Sequence, residues 1–400
     1  MNTATNHPAN EVNGPAGFSI TELAGTLHLV PGAPVPHNLR STRRTLAPNL
    51  AKGKVANTLP ALLGSLFNLC GQAHRMCSHL ALEAAAPGMF PLTPTAQTLQ
   101  RETAVEHVRR IGLDWTSLLA SAGTTSAALD DLRDCPLLKS RADAPMPSAE
   151  TLAWLQARWL NMPPETWLRN WLTHGASWLS DWSRRANSWL AHLLQTVRAA
   201  DISLALSPLA ALQPHGHGAG MRELGLQLAS QKDVPEATLV WKGRPAHTGT
   251  WSRLNLNRHP LPSSAWPLLG FRIAELIRLC LPDEPGHSGA QWLSWGAMPL
   301  GSCHGMAWVE MARGLLIHYV RLSPSNSGRP CVAHCQVLAP TDWNFHPEGV
   351  AAQALAQLPL QTGDPAPRVR LLTAALDPCV PFRLEQRPPA CAPILEPHHA

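Results

Sequence analysis

The sequence predicts a predominantly helical α+β fold, and three observations lead to that prediction. Residues 57–86 carry apolar side chains at helical spacing and end at Pro87-Gly88. Residues 153–197 carry tryptophans spaced four and seven residues apart, which places them along one apolar stripe that packs into the core. Residues 317–322 and 332–338 are short apolar runs around a turn rich in Ser, Pro, Asn and Gly, which predicts a β-hairpin. Helices and strands in separate parts of the chain are typical of the α+β class.

Length and composition allow a large buried core and exclude several classes of function. The chain has 400 residues, 45% of them hydrophobic and 15% charged, with a net charge of +5. That charge is too weak to predict nucleic-acid binding, and no apolar run approaches the ~18 residues of a membrane span. The nine cysteines have no regular spacing and follow no secretory signal, as is typical of reduced cytosolic thiols. We therefore expect a cytoplasmic protein that binds neither nucleic acid nor a membrane.

The chain is expected to form one domain between two tails. Residues 1–20 are polar and contain Gly, Pro and Asn, which predicts a flexible tail. Residues 387–400 form a second, Pro-rich tail, and residues 21–386 form the domain. Within it, the basic segment 37–54 has no acidic residue. We interpret this segment as a solvated basic face, with a docking surface for an acidic partner as the alternative.

Further elements follow from the same periodicity. The predictions are a short strand at 27–30, helices at 93–112, 266–281 and 349–358, irregular chain at 113–150, and an extended stretch up to residue 379. On the helix at 93–112, the side chains expected to face solvent are Glu102, Glu106, Arg109 and Arg110.

The open end of the hairpin brings together two side chains with complementary chemistry. If the tip lies near Ser327, Arg313 and Thr341 stand opposite each other, within the ~5 Å of directly paired residues. A permanently charged guanidinium and a hydroxyl then converge beside apolar Leu316 and rigid Pro340. Such a corner suits a small ligand with acceptor atoms at two ends and an apolar third side.

The residues around this corner resemble nickel–iron hydrogenase large subunits. VEMARGLLIH at 309–318 and PTDWNFHP at 340–347 are similar to the family signature VEAPRGxxxH…PTxWNxxP. In that family the Arg and the Thr hydrogen-bond the two cyanides on the active-site iron, and a Leu lines the carbonyl pocket. The resemblance assigns these roles to Arg313, Thr341 and Leu316. It implies a predominantly helical, large-subunit-like body with the β-hairpin near the site.

The resemblance extends beyond the hairpin. Residues 241–253 are similar to the family segment YxGxPxxTGPxAR, and the likeness runs in order from about residue 40 to residue 382. The family also carries a His three positions beyond its last cysteine, where a protease trims the tail. That position is Glu385 here, so we expect the tail to stay uncut.

The cysteine motifs of the family are incomplete in this chain. Members hold nickel and iron with RxCGxC and DPCxxC, in which the second cysteine of each motif bridges both metals. Here the motifs are NLCGQA and DPCVPF, so Cys70 and Cys379 remain while Ala73 and Phe382 replace the bridging cysteines. Two thiolates are too few for a bridged nickel–iron centre. We therefore expect no nickel, no hydrogen turnover and no enzymatic activity.

The retained residues suit a single iron. Cys70 and Cys379 supply two thiolates, although the family uses these positions for nickel alone, so they would have to turn toward iron. Arg313 can donate charge-assisted hydrogen bonds to a cyanide, and the resemblance places Asp377 with Arg313 over the metal. Cys77 has three interpretations: a third iron ligand, an inert helix cysteine, or a transient thiol toward a delivery partner.

Other metal-ligating residue types are expected to be structural. His74 is predicted to be a polar flank of its helix, and His215 and His217 alternate with glycines as in a loop. Cys331 and Cys335 share one face of the hairpin, where packing is the expected role.

The whole pattern resembles the HupK/HoxV-type hydrogenase expression/formation proteins, large-subunit look-alikes that lack part of the cysteine set. The resemblance implies a non-catalytic scaffold that holds an Fe(CN)2(CO) group transiently and relays it to the hydrogenase large subunit. Its partners would then be hydrogenase maturation chaperones and iron-delivery proteins. One alternative is a metal-free interaction protein that mimics the large subunit and binds its chaperones. Another is an active hydrogenase with altered ligands.

Overall fold

A computed structural model describes most of the central part of the chain. The described ranges are 24–91, 95–120, 122–141, 144–214, 218–230, 239–253, 261–282, 292–324, 328–358 and 363–386. Both predicted tails, the His215–His217 loop and Ser327 at the predicted hairpin tip lie outside these ranges.

The described chain is mostly helical, with two small sheets, which confirms the predicted α+β class. The α-helices are α1 (Leu46–Ala51), α2 (Leu59–Leu66), α3 (Gly71–Ala85), α4 (Ala96–Arg109), α5 (Thr116–Leu119), α6 (Ala122–Asp134), α7 (Pro136–Lys139), α8 (Ser148–Trp154), α9 (Pro164–His174), α10 (Ala176–Arg185), α11 (Trp189–Val197), α12 (Gly218–Ser230), α13 (Thr250–Arg253), α14 (Trp266–Cys280), α15 (Pro340–Asn344), α16 (Val350–Ala356) and α17 (Ala366–Leu376). Two π-helical turns span Arg110–Trp115 and Leu155–Leu160, and 3-10 turns span Ala56–Thr58, Asn68–Cys70, Arg198–Ala200 and Pro208–Ala210. The strands are β1 (Leu27–Leu29), β2 (Leu39–Ser41), β3 (Trp295–Gly301), β4 (His304–Met311), β5 (Gly314–Ser323), β6 (Cys331–Leu338) and β7 (Phe382–Leu384).

The smaller sheet joins the two ends of the described chain. Its order is β2-β1-β7, with β1 and β7 parallel. Beyond β7, the Glu385 N–H donates to the Leu29 carbonyl oxygen at 2.8 Å. The Glu385 carboxylate lies 2.5 Å from His28 Nδ1. The residues that follow Cys379 are therefore fixed to the N-terminal strand.

The larger sheet is an antiparallel meander in the order β3-β4-β5-β6. The predicted hairpin is its β5–β6 pair, and near the tip Leu322 pairs with Val332 as expected. Farther from the tip a β-bulge shifts the register by one residue, because β6 contains one extra residue there. The ladder ends before it reaches Arg313 and Thr341. The prediction that these two residues face each other as cross-strand partners is therefore wrong.

Arg313 lies instead in the two-residue turn that joins β4 to β5. Met311 pairs with Gly314 across this turn. Gly314 has a φ of +134°, and a Cβ there would lie 2.6 Å from the side chain of Thr248, so only glycine fits this position. The turn can then pack against the 248 segment, where the Leu315 N–H donates to Thr248 Oγ1 at 2.9 Å.

The prediction of one long helix over residues 57–86 is wrong. It is divided into α2 and α3 by the 3-10 turn Asn68–Cys70. The two helices lie so close together that a Cβ on Gly71 would lie 2.6 Å from the Gly64 carbonyl oxygen. Cys70 therefore lies at the N-terminal end of α3 rather than on one continuous helical face with Cys77.

Helix α3 packs across β4 and β5. Its buried face has the small residues Ala73, Cys77 and Ala81 at intervals of four, so the helix can approach the sheet closely. Alternate residues of β5 face this helix, and Leu316 and Val320 belong to the same hydrophobic cluster as these α3 residues.

Two other regions are more helical than predicted. Residues 113–150, which were expected to be irregular, include α5, α6 and α7. The tryptophan-rich region is divided among several helices, with breaks at Gly175 and ahead of Ser188. Its core packing is confirmed, because Trp167, Trp171 and Trp182 are buried.

Most of the remaining elements match their predictions. The strand at 27–30 and the helices at 93–112, 266–281 and 349–358 are confirmed within a few residues, as β1, α4, α14 and α16. None of the helices within the described ranges is both long and apolar enough to cross a bilayer.

Candidate functional site

The turn that carries Cys379 replaces the extended stretch predicted there. Helix α17 ends at Leu376, and Asp377 adopts a left-handed conformation (φ 50°, ψ 70°) directly before Pro378. Aspartate tolerates this conformation better than most residues, and proline cannot continue the helix. Cys379 is therefore held just beyond the C-terminal end of α17.

Cys70 and Cys379 are distant in sequence, and the structure brings Cys379 close enough to affect the pKa of Cys70. Burial raises the pKa of the Cys70 thiol, Arg313 opposes that rise, and Cys379 adds to it. Both side chains therefore lie close to Cys70. In the free chain Cys70 is a protonated thiol at neutral pH, so binding of a metal there releases a proton.

Thr341 and Cys379 hold each other through two hydrogen bonds. Thr341 Oγ1 donates to Cys379 Sγ at 3.2 Å and accepts from the Cys379 backbone N–H at 3.1 Å. Thr341 is carried by the short helix α15, where buried Pro340 is the first residue. The Asp342 carboxylate accepts from the Ala339 N–H at 2.7 Å and so closes the start of this helix.

Arg313 is a buried cation with hydrogen-bond donors to spare. Its side chain is 1% exposed, and Nη2 donates to Glu106 Oε1 at 2.6 Å. Nε lies 3.5 Å from Asp377 Oδ2. Burial acts to lower the pKa of Arg313, but Asp377 and Glu106 outweigh it and raise the pKa overall. Nη1 and Nε form no hydrogen bond within the described part of the chain, so both can donate to acceptor atoms of a ligand.

Asp377 joins Arg313 to two further arginines in a buried charge cluster. Arg272 Nη2 lies 2.9 Å from Asp377 Oδ2, and Arg110 Nε lies 3.3 Å from Asp377 Oδ1. Arg110 Nε also lies 3.0 Å from Glu106 Oε1. We call these five residues the Asp377 cluster. Three cations against two carboxylates leave positive charge beside the two thiols, which favours an anionic ligand.

A third carboxyl group lies at the edge of the Asp377 cluster. Burial, together with the nearby charges of Asp377 and Glu106, raises the pKa of Asp114 to about 7. Arg110 Nη1 lies 2.7 Å from Asp114 Oδ2. Near neutral pH this group therefore cancels only part of the positive charge of the cluster.

The position of Arg272 is fixed by a second line of buried polar groups. Its Nη1 lies 3.1 Å from His107 Nδ1, and His107 Nε2 lies 2.6 Å from Glu275 Oε2. Because arginine can only donate, Nδ1 accepts and Nε2 carries the proton that is donated to Glu275. Arg253, the last residue of the 241–253 motif, forms an ion pair with Glu275.

Glu106 and Arg110 belong to the site although the sequence does not predict them there. Both were expected to face solvent, but Glu106 is buried and Arg110 is half-buried. Glu102 is also half-buried, and its carboxylate accepts N–H bonds of 2.7 and 2.9 Å from the first turn of α3. The spacing of four residues that aligns these three side chains is the same on a solvated face and on a buried charged face. That spacing was therefore a signal for the cluster, but an ambiguous one.

Cys77 does not join Cys70 and Cys379. Its Sγ donates to the Ala307 carbonyl oxygen at 3.4 Å, so it points toward the larger sheet. Burial raises the pKa of Cys77, and Cys335 adds to the rise. Of the three interpretations of Cys77, this geometry favours an inert packed thiol. Across the described ranges no three His, Cys, Asp or Glu side chains group as a metal site.

His74 is buried rather than a polar flank, which corrects the prediction. Its Nδ1 lies 3.0 Å from His318 Nε2, and its ring stacks on Phe67 with ring centres 4.1 Å apart. Burial lowers the pKa of both histidines, that of His318 to about 3. Leu316, predicted to line a carbonyl pocket, is fully buried on the same face of β5 as His318.

A cavity of about 460 Å³ opens beside Cys379. The lining residues that belong to the site are Glu106, Arg110, Asp114, Asp377 and Cys379. Phe382, which stands at the position of the second bridging cysteine, also lines it. Cys70 lies outside this lining.

Comparison with named proteins identifies the family. The chain is 38% identical over 374 residues to the hydrogenase expression/formation protein HoxV of Cupriavidus necator, across 91% of this chain and 96% of that protein. It is 30% identical over 352 residues to the hydrogenase expression/formation protein HupK of Bradyrhizobium diazoefficiens, across 84% and 89%. The chain belongs to the HoxV/HupK family. This membership confirms the resemblance seen in the motifs. No protein-family model matches the chain.

Among solved structures, this HoxV/HupK family member is similar to hydrogenases at low sequence identity. One is a NiFeSe hydrogenase variant from Desulfovibrio vulgaris Hildenborough, with a TM-score of 0.48 and 13% identity over 85% of this chain and 92% of that chain. Another is an NAD+-reducing NiFe hydrogenase in its reduced state, with a TM-score of 0.48 and 13% identity over 85% and 91%.

Proposed function

We propose that this HoxV/HupK family member is a non-catalytic scaffold in nickel–iron hydrogenase maturation. Its cargo would be an Fe(CN)2(CO) group that it receives from iron-delivery proteins and chaperones and passes to the hydrogenase large subunit. One observation carries the proposal: two thiols from distant parts of the chain lie together beside a buried arginine with unpartnered donors.

Each retained side chain has a role in holding this cargo. Cys70 and Cys379 ligate the iron as thiolates, each after releasing its proton. Nε and Nη1 of Arg313 donate to a cyanide nitrogen, which satisfies donors that are otherwise buried without a partner. The Thr341 hydroxyl, whose single proton is donated to Cys379 Sγ in the free chain, would turn to donate that proton to the second cyanide. The positive Asp377 cluster offsets the charge of two thiolates.

The residues at the bridging positions favour binding of an iron group over turnover of hydrogen. Ala73 and Phe382 stand where the bridging sulfurs of the resembled family would be, and neither can ligate a metal. Ala73 is buried on α3, and Phe382 begins β7. An iron group that is anchored by two sulfurs, without a second metal, can be released to an acceptor with more ligands.

Infrared spectroscopy with metal analysis tests this proposal. The full chain is purified without oxygen from cells that also produce the hydrogenase maturation proteins. We expect bands of iron-bound cyanide and carbonyl, close to one iron per chain, and no nickel. Wild-type protein without these bands would overturn the proposal and favour the metal-free mimic. Stoichiometric nickel with hydrogen uptake would favour an altered hydrogenase.

Matched cysteine variants connect the bands to the site. Cys70→Ser and Cys379→Ser should each remove the bands and the bound iron. Cys77→Ser and Cys135→Ser, which change buried thiols away from the Asp377 cluster, should keep them. Loss of the bands in all four variants would indicate a general folding defect, so circular dichroism and a denaturation curve accompany each variant.

A further inference from the structure

The two candidate ligands differ in how they can be reached. Cys379 lines the cavity, whereas Cys70 does not. The cavity volume of about 460 Å³ exceeds the need of the cargo alone. Three diatomic ligands and an iron occupy roughly 120 Å³, if each is given about the volume of one water molecule. The remaining space can hold a ligating side chain of a donor or acceptor while the iron group is in place.

The cavity rim is apolar and carries a free cation. Leu69 and Leu113 both line it, and they are 47% and 41% exposed, among the most exposed large apolar side chains of the described ranges. Arg109, also in the lining, is exposed. No described carboxylate lies within ion-pair distance of Arg109, in contrast to the neighbouring Arg110. We call these three residues the rim.

We propose that this cavity is the access route for an anionic iron group, that Cys379 is the first protein ligand to reach it, and that Arg109 steers it inward. This inference rests on the proposed scaffold function and adds an order of binding and a charge preference. A fixed positive charge beside apolar side chains at the cavity mouth raises the local concentration of anions and so their rate of arrival.

The exchange at Cys379 involves no oxidation or reduction. The Cys379 thiol releases its proton to water, and its sulfur lone pair forms the bond to iron(II). One ligand of the donor leaves the iron with its own electron pair and takes up a proton from water. Cys70 then ligates in the same way from the interior side. The iron stays iron(II) throughout, and the Asp377 cluster stays unchanged.

Alkylation of the metal-free full chain tests the access route. Iodoacetate and iodoacetamide are nearly equal in size, and a thiolate displaces iodide from both, but only iodoacetate is an anion. The ratio of the two rates at one cysteine therefore reports the local charge. The fraction of thiolate affects both rates equally and drops out of the ratio. Peptide mass spectrometry gives the rate at each cysteine, with exposed Cys303 as an internal reference. We expect Cys379 to react well before Cys70 with both reagents.

Charge variants at Arg109 separate steering from simple access. A unit charge roughly 7 Å away changes the rate of an anion by about threefold in water at low salt. Arg109→Gln should therefore lower the iodoacetate-to-iodoacetamide ratio at Cys379 about threefold, and Arg109→Glu about tenfold. The ratio at Cys303 should not change, and Lys54→Glu, a remote exposed charge reversal, should leave both ratios unchanged. The effect should disappear at high salt.

A size variant tests the route itself. Leu113→Trp narrows the rim and should slow both reagents at Cys379 several-fold, while Leu129→Trp, at an equally exposed leucine on α6, should not. Equal rates at Cys70 and Cys379, or a Cys379 ratio unaffected by Arg109→Glu, would overturn the inference. The alkylation rates are measured on metal-free protein. They can therefore contradict the access route while the infrared bands of the loaded scaffold are present, and they can support it while those bands are absent.

Discussion

Two cysteine pairs of this chain lie in opposite surroundings. Cys77 and Cys335 are fully buried between α3 and the larger sheet, in an apolar core. Cys70 and Cys379 lie beside the ends of two helices, next to the Asp377 cluster, and both are partly exposed. Helix α3 contributes to both pairs, so sequence distance alone does not separate them. What a thiol can bind is decided by the charge and access around it.

The pKa values of these thiols show the difference. Burial raises the pKa of Cys335 to about 12, and no cation in the described part of the chain opposes the rise. Burial also raises the pKa of Cys70, but there Arg313 favours the thiolate. A metal can offset the remaining cost at Cys70, because Arg313 stays in place and compensates the added negative charge. In the apolar core, no described cation compensates the charge of a thiolate at Cys77 or Cys335.

The largest effect on the difference between the two cysteine pairs is expected from removing the charge of Arg313. Arg313→Ala removes the most deeply buried of the arginines that pair with the carboxylates of Glu106 and Asp377, and it leaves Arg110 and Arg272 as their remaining partners. We expect a loss of about 3–5 kcal/mol in the free energy of unfolding, measured by urea denaturation. Arg109→Ala, a control at an exposed arginine on the helix that carries Glu106, should change the free energy of unfolding by less than about 0.5 kcal/mol. Equal costs for the two variants would mean that the Asp377 cluster is not a cooperative unit.

The acid side of the stability curve should depend on the buried histidine pair. Burial lowers the pKa of His318 to about 3, so the folded chain binds fewer protons than the unfolded chain, in which this pKa is about 6.5. Stability should therefore fall as pH decreases from about 6.5 toward 3, by up to a few kcal/mol. His318→Gln should flatten this slope between pH 7.5 and pH 4.5 in urea titrations. The exposed-residue control His192→Gln should retain it.

A smaller effect is expected at the hydroxyl that touches Cys379. Thr341→Val removes both the donor to Cys379 Sγ and the acceptor of the Cys379 N–H. We expect about 1–2 kcal/mol of lost stability. Thr341→Ser keeps the hydroxyl and should recover most of it. A serine variant as unstable as the valine variant would show that the methyl group, rather than the hydroxyl, matters here.

The smallest effects on stability are expected from alanine variants of Cys77 and Cys379, which separate the two cysteine pairs by function. Cys77→Ala removes a packed sulfur and should cost about 1 kcal/mol, with the infrared bands of the loaded protein unchanged. Cys379→Ala, at a partly exposed position, should cost less in stability and abolish the bands. If Cys77→Ala also removed the bands in folded protein, the core pair would have to be included in the site.

The sequence predicts which residues form the candidate site, but it does not predict how they are brought together. Motif spacing led to Arg313, Thr341, Cys70 and Cys379, and the structure brings their side chains together. The predicted reason, cross-strand pairing, is wrong because a β-bulge shifts the ladder and the ladder ends early. The actual junction is the turn after α17, and a contact between such distant segments leaves no periodic signal in the sequence.

Two other errors have local physical causes. The long first helix was divided because Gly64 and Gly71 allow close helix packing, which periodicity of the apolar residues does not detect. Glu106 was expected on a solvated face because charged residues are rarely buried. Its burial depends on Arg313 from the β4–β5 turn, which only the tertiary fold supplies. Charge patterns along one helix cannot indicate such partners.

The parallel pairing of β1 with β7 has a consequence for when the site comes into being. The strand that follows Cys379 is fixed against residues 27–29, so this sulfur reaches its place only after nearly all of the described chain has left the ribosome. A polypeptide that lacks β7 presents Cys70 without a fixed Cys379. Under the proposed function, such a polypeptide would offer an iron group one sulfur instead of two, so loading would follow closure of the smaller sheet.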